Sequence, residues 1–157
     1  MSRRDKIRMT ADEVREFLRA GRTIILTSIG KDGAPHPMPM WYGLDEEGAV
    51  LMSTFTKSQK IRNLKRDPRV SLLVEGGDTY AELRGVVCYG TAELDPDPER
   101  IVAILAAVSE HRGDVAPGVP ADAVRDAFRK QAPKRTGIRV LPDKIVSWDH
   151  RKLAGAY

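Results

Sequence analysis

Two hydrophobic periods alternate along this chain, one of about 3.6 residues and one of 2, and the switches between them mark out its elements. Thr10-Ala11-Asp12-Glu13 has capping-box spacing, Val14, Phe17 and Leu18 follow at helical intervals, and Gly21 supplies a stop. This predicts a short amphipathic helix over 11–20. Arg22 to Ile29 is rich in β-branched residues and reads as a strand, and Lys31-Asp32-Gly33 reads as a hairpin turn. The returning strand, Ala34 to Leu44, carries Pro35, Pro37 and Pro39. Proline cannot donate to a ladder, so this stretch is an edge, or backbone left open for something else. A turn at 45–48 precedes a strand from Ala49 to Phe55. Thr56-Lys57-Ser58-Gln59 reads as a second capping box opening a helix through Arg66, which Asp67-Pro68 ends. Val70 to Glu75 is a fourth strand, and Tyr80 to Leu94 a long one that Gly85 or Gly90 bends or bulges.

Asp97-Pro98-Glu99 has the form of a helix start and predicts a helix over 98–111. A loop from Gly113 to Pro120 and a helix over 121–131 follow. Thr136 to Leu141 and Lys144 to Trp148 are closing strands split by Pro142. Six or seven strands in hairpin order with flanking helices indicate an α+β fold around an antiparallel split β-barrel. No linker divides the 157 residues, so 1–157 is expected to be one domain with a helical insertion at about 98–131. The lone Cys88 cannot form an internal disulfide, which points to a reducing, cytoplasmic setting. No apolar run is long enough for a membrane span, and no apolar stretch follows the basic start, so neither span nor signal peptide is expected.

Charge changes the picture in one place. The net charge is +4, yet Lys57 to Arg69 alone holds six basic residues against Asp67. Such a local cluster suits one anionic ligand. Nucleic acid is not expected, because aromatic residues do not interleave the basic ones as stacking platforms. At Ser53 to Leu64 a strand feeds straight into a helix start. The amides of Ser58, Gln59 and Lys60, the ammonium groups of Lys57 and Lys60, and the hydroxyls of Ser53, Thr54 and Ser58 converge there as a phosphate-type site. A capped surface helix with solvated lysines is the competing interpretation. Pro37 to Tyr42 could present backbone groups and a Met/Trp surface to a flat heterocycle, or simply pack in the core. His36, His111 and His150 are scattered, so no metal site is expected. Walker, Rossmann and nucleophile-elbow motifs are missing, so any redox or transfer chemistry would come from a cofactor.

The segments TSIGKDGAPHPMPMWY, TFTKSQKIRNLKRDPRVSLLV, YGTAEL and IRVLPDKIVSWD together make the chain resemble the split β-barrel flavin- and deazaflavin-dependent oxidoreductases, relatives of pyridoxamine-phosphate oxidase. The likeness runs from Thr23 to Trp148. The run from Lys60 to Arg69 resembles the subgroup using coenzyme F420, a deazaflavin with a phosphate and an oligoglutamate tail. The resemblance implies a homodimer with the cofactor in a groove between subunits. It places Pro39, Met40 and Trp41 along the ring, and Ser53, Thr54, Lys57, Ser58 and Lys60 on the phosphate. Arg62 would reach the tail, and Trp148 would close the groove from the other subunit. The outer cations Lys65, Arg66 and Arg69 favour F420 over FMN, the alternative cofactor. The activity implied is hydride transfer to an enone, quinone or tetrapyrrole. The alternatives are an FMN oxidase or flavin reductase and a non-catalytic F420 carrier. No catalytic residue is assigned; Tyr42, Tyr80 and Lys57 are the candidates for proton donation.

Overall fold

The computed structural model describes residues 2–153. Its strands are β1 (Thr23–Ile29), β2 (Pro35–Trp41), β3 (Gly43–Leu44), β4 (Val50–Phe55), β5 (Arg69–Gly76), β6 (Arg84–Asp95) and β7 (Arg135–Asp149). All pair antiparallel in one sheet, ordered β2-β1-β5-β6-β7-β4-β3. Helices α1 (Arg3–Ile7), α2 (Ala11–Ala20), α3 (Gln59–Arg66), α4 (Pro98–Arg112) and α5 (Ala121–Phe128) flank it, giving an α+β split barrel. The two edge strands, β2 and β3, are separated in the chain by Tyr42 alone. The sheet therefore curls until its ends meet at a seam.

Alternation along the strands decides which face is inside. Ile24 and Leu26 of β1, Val50 and Met52 of β4, Val70, Leu72 and Val74 of β5 and Val86 and Cys88 of β6 share one core. Helix α3 adds Ile61 and Leu64 to it, and Asn63 Nδ2 donates to Ser28 Oγ of β1 at 3.0 Å, which fixes the helix against the barrel. A second, smaller core of Ile101, Val102 and Ala132 lies under α4. Gly43 lets that helix approach β3 closely: a Cβ there would lie 3.0 Å from the Ala107 carbonyl carbon and oxygen.

Several boundaries differ from the sequence expectations, each for a local reason. The basic start holds α1, capped reciprocally by Ser2 and Asp5. The returning strand breaks at Tyr42 into β2 and β3. Tyr80–Glu82 is a single 3-10 turn, not strand, because Thr79 and Glu82 cap one another. Pro142 does not split the closing strand. Gly90 pairs with Pro142 and Tyr89 with Lys144, so the bulge at Tyr89/Gly90 absorbs one extra residue and β7 runs on to Asp149. The last helix stops at Phe128, and Ala132–Lys134 is a 3-10 turn leading into β7. The expected capping box at Thr56 does not form. The Thr56 amide bonds to the Lys134 carbonyl and its hydroxyl to Thr136 Oγ1 at 3.0 Å, so it belongs to the sheet, and Ser58 becomes the N-cap.

Candidate cofactor site

The seam is built from an edge that proline keeps open. Strand β2 pairs with β1 in unbroken register from Thr23↔Trp41 to Ile29↔Pro35. Pro35, Pro37 and Pro39 lack an N–H, so they must occupy the positions whose backbone groups turn away from β1. His36, Met38 and Met40 then carry the ladder. The free side of β2 shows the carbonyls of Pro37 and Pro39 followed by the N–H of Trp41.

Beside this edge opens a cavity of about 650 Å³. Pro39, Met40, Trp41, Ser53, Thr54 and Phe55 form its strand wall; Leu105, Val108, Ser109 and Arg112 of α4 and Phe128 of α5 form its helical wall, with Gln131 and Arg135 completing it. Two guanidinium groups lie on aromatic faces, Arg112 at 3.4 Å from the Trp41 ring centre and Arg135 at 4.6 Å from that of Phe55. Both rings stay more than half exposed, Trp41 at 57% and Phe55 at 58%.

Next to the cavity β4 runs into α3. The Ser58 amide, expected to be free, bonds to the Phe55 carbonyl at 2.9 Å, leaving Gln59 and Lys60 as the open amides of the helix start. The Ser53 and Ser58 hydroxyls are buried without any partner. Lys60 is only 9% exposed, and its Nζ donates to Thr54 Oγ1 at 3.1 Å. No carboxylate pairs with it among the described residues, and burial pushes its ammonium below the usual lysine range. A buried cation without a counter-charge is unfavourable by itself, as is each orphaned hydroxyl, and an anion held at this strand-to-helix corner would answer them. The donor set therefore fits a phosphate-bearing cofactor. Lys57 and Arg62 stand exposed near the same corner, and Lys65 is exposed in the last turn of α3. The outer surplus is thinner than expected: Arg69 pairs with Asp67 at 2.7 Å, and Arg66 donates to the Ile29 carbonyl.

Of the expected site residues, Pro39, Met40, Trp41, Ser53 and Thr54 line the cavity, and Lys60 reaches it through Thr54. Lys57, Ser58 and Arg62 sit on the α3 corner and not in the cavity wall. Trp148 faces Gly85 in the β6–β7 ladder and packs on it, so it does not line this cavity. Tyr42 is no proton donor: it is fully buried, donates to the Leu18 carbonyl, and burial raises its phenol far above the ordinary range. Tyr80 stacks edge-on with His150 and does not line the cavity either. The sequence reading missed Phe55, Phe128, Arg112 and Arg135. The only signal for Phe55 was its place two residues after Ser53, on the same strand face. Cys88 is buried, with its thiol pushed up to about 11, which suits packing and not reactivity. No described helix is long and apolar enough to cross a membrane.

One titratable group holds the helical wall in place. His111 of α4 donates from Nε2 to the Gly21 carbonyl at 2.7 Å and leans on Tyr42, and burial lowers its pKa below 6.5. A base with a lowered folded pKa supports the fold above its ordinary value, and the support is lost as pH falls towards the folded value. Urea unfolding should therefore show stability falling from pH 7.5 to 5.5. His111→Gln should cost about 1 kcal/mol at pH 7.5 and flatten that slope.

A split barrel whose open seam adjoins an anion-ready corner is the architecture of oxidoreductases that hold a flavin-type cofactor, as the sequence resemblance implied. The chain belongs to the pyridoxamine 5′-phosphate oxidase family, whose model matches residues 10–149. A conserved hypothetical protein of Mycobacterium tuberculosis superposes with a TM-score of 0.87 at 39% identity, over 100% of this chain and 95% of that one. An F420 reductase superposes with a TM-score of 0.62 at 26% identity, over 83% of this chain and 94% of that one. A 5a,11a-dehydrotetracycline/5a,11a-dehydrooxytetracycline reductase of Streptomyces rimosus subsp. rimosus is 32% identical over 85 residues. That match takes in 51% of this chain and 60% of the length of the Streptomyces protein.

Proposed function

We propose that this protein is an F420-dependent oxidoreductase acting on a small, electron-poor organic acceptor of the enone, quinone or tetrapyrrole type. The observation that carries the reading is Lys60, a buried ammonium with no carboxylate partner among the described residues, at the strand-to-helix corner that also holds the unpartnered hydroxyls of Ser53 and Ser58. These groups, with Lys57, would hold the phosphate. Arg62 and Lys65 would meet the carboxylate tail. The Pro39 carbonyl and Trp41 N–H offer an acceptor and a donor side by side, the pattern that an imide edge of the ring complements. When bound, the deazaflavin supplies hydride chemistry at its central ring carbon. The chain's own work is to bind, orient and exclude water. The kinship with an F420 reductase and a dehydrotetracycline reductase supports both cofactor and acceptor class. We further propose a homodimer in which Trp148 of the partner subunit closes the groove. The unpaired Cys88 supports a cytoplasmic location.

FMN is the second reading. It is favoured by the engagement of Arg66 and Arg69, which leaves few cations for a tail. Titration with F420 and with FMN, followed by cofactor fluorescence at low and high salt, separates the two. We expect saturable F420 binding that weakens about tenfold or more as screening shortens from about 10 to 3 Å between 0.1 and 1 M salt, with a smaller change for FMN. Tight FMN binding without an F420 signal would favour the second reading, and F420 binding without turnover of any acceptor in a broad screen would mark a carrier.

A further inference from the structure

We infer that the helical wall of the cavity selects a planar acceptor bearing an anionic group such as a carboxylate, and that Arg135 is the residue that reads the charge. This rests on the cofactor reading above, with the β2 backbone, Ser53, Thr54 and the α3 corner given to the cofactor, and the α4–α5 side with the exposed ring faces of Trp41 and Phe55 left for the acceptor.

The two guanidinium groups of the cavity differ in one respect. Arg112 lies on Trp41, and its charge is answered by Asp114 at 3.1 Å. Arg135 lies on Phe55, forms no ion pair among the described residues, and has a buried Nε that bonds to nothing. Asp114 is the single acidic residue in the cavity lining, and it is already paired. Arg135 is thus a held, partly desolvated donor with unspent charge, and a carboxylate is the group a planar guanidinium fork matches best. The rest of the wall asks for a flat apolar body. Trp41 and Phe55 keep exposed ring surface, and Leu105, Val108 and Phe128 supply apolar cover. Stacking on Phe55 holds the Arg135 fork in one plane, so less freedom is lost when an anion docks.

The test uses 9,10-anthraquinone-2-carboxylate and its neutral amide as probes, each titrated into cofactor-loaded protein by quenching of tryptophan emission. The wild type should bind the carboxylate about tenfold tighter than the amide, the size of one charge-assisted bond. Arg135→Leu should shrink that ratio to within about twofold, and Arg135→Lys should retain part of it. Arg112→Leu should weaken both probes alike, since its charge is already paired. F420 and FMN affinities of Arg135→Leu should stay within about twofold of wild type. Equal binding of the two probes to wild type, or a ratio that survives in Arg135→Leu, would overturn the inference. So would a loss of cofactor affinity in Arg135→Leu as large as the loss of probe affinity, because the residue would then serve the cofactor. A wild type that binds neither F420 nor FMN sinks the cofactor reading and this inference together. A wild type that binds cofactor but does not distinguish the probes sinks this inference alone.

Discussion

Lys60→Met should raise the unfolding temperature of the ligand-free protein while weakening F420 and FMN at least tenfold. The two effects have opposite signs because one group causes both. Without cofactor the ammonium is buried and, among the described residues, donates to Thr54 Oγ1. Methionine has similar length and carries no charge to desolvate. Set against the lost hydrogen bond, the exchange should stabilise by about 1 kcal/mol, or roughly 3 °C in a domain of this size. In the loaded site the same ammonium meets an anion, and a charge-assisted bond of about 1.5–3 kcal/mol is forfeited. The pH dependence carries a further signature. The folded pKa of Lys60 is depressed below 10.5, so its destabilising effect is full at neutral pH and eases as pH rises towards the unfolded value. Wild type should therefore gain stability on mild alkalisation relative to Lys60→Met. Thermal unfolding at pH 7 and pH 10, with cofactor titrations of both proteins, checks all three points. A variant that is less stable and binds cofactor as tightly as wild type would remove Lys60 from the site.

Gly43→Val should lower the unfolding temperature by about 3–9 °C and impair acceptor binding more than phosphate binding. A Cβ at Gly43 would lie 3.0 Å from the Ala107 carbonyl carbon and oxygen and 3.1 Å from the Val108 amide nitrogen. Those are backbone atoms of α4 and cannot rotate aside. Overpacking of this kind costs about 1–3 kcal/mol, and the helix must lift to relieve it. Val108, Ser109 and Arg112 move with the helix, so the anthraquinone carboxylate should bind several-fold more weakly. The α3 corner hangs on β4 and Ser28, which leaves inorganic phosphate affinity within about twofold. Differential scanning calorimetry and the two titrations read the split. Equal loss at both sites would mean that the substitution loosens the whole barrel.

Most of the frame was legible because strand alternation and helix caps are local signals. The proline rhythm of residues 35–39 announced an unpaired edge before any partner strand was known, and the strand-to-helix step at 53–60 was readable as the turn that holds Ser53, Ser58 and Lys60. Details set by a distant partner were not. Pro142 reads as a strand breaker, yet the ladder continues because Gly90 tolerates the bulge opposite it. Thr56 reads as a helix cap until Thr136 and Lys134 claim it. Arg112 and Arg135 read as ordinary basic residues at element ends. Only the folding of α4 over the seam brings Arg112 to Trp41, and only the long-range pairing of β7 with β4 sets Arg135 opposite Phe55.

Keeping a sheet margin bare for a ligand carries a hazard of its own, since an exposed β-edge invites strand after strand to stack on it. With donors deleted at every second position, an incoming chain would find no N–H to answer its own carbonyls along Pro35, Pro37 and Pro39. The same three prolines that leave this edge open thus act as gatekeepers against fibril growth.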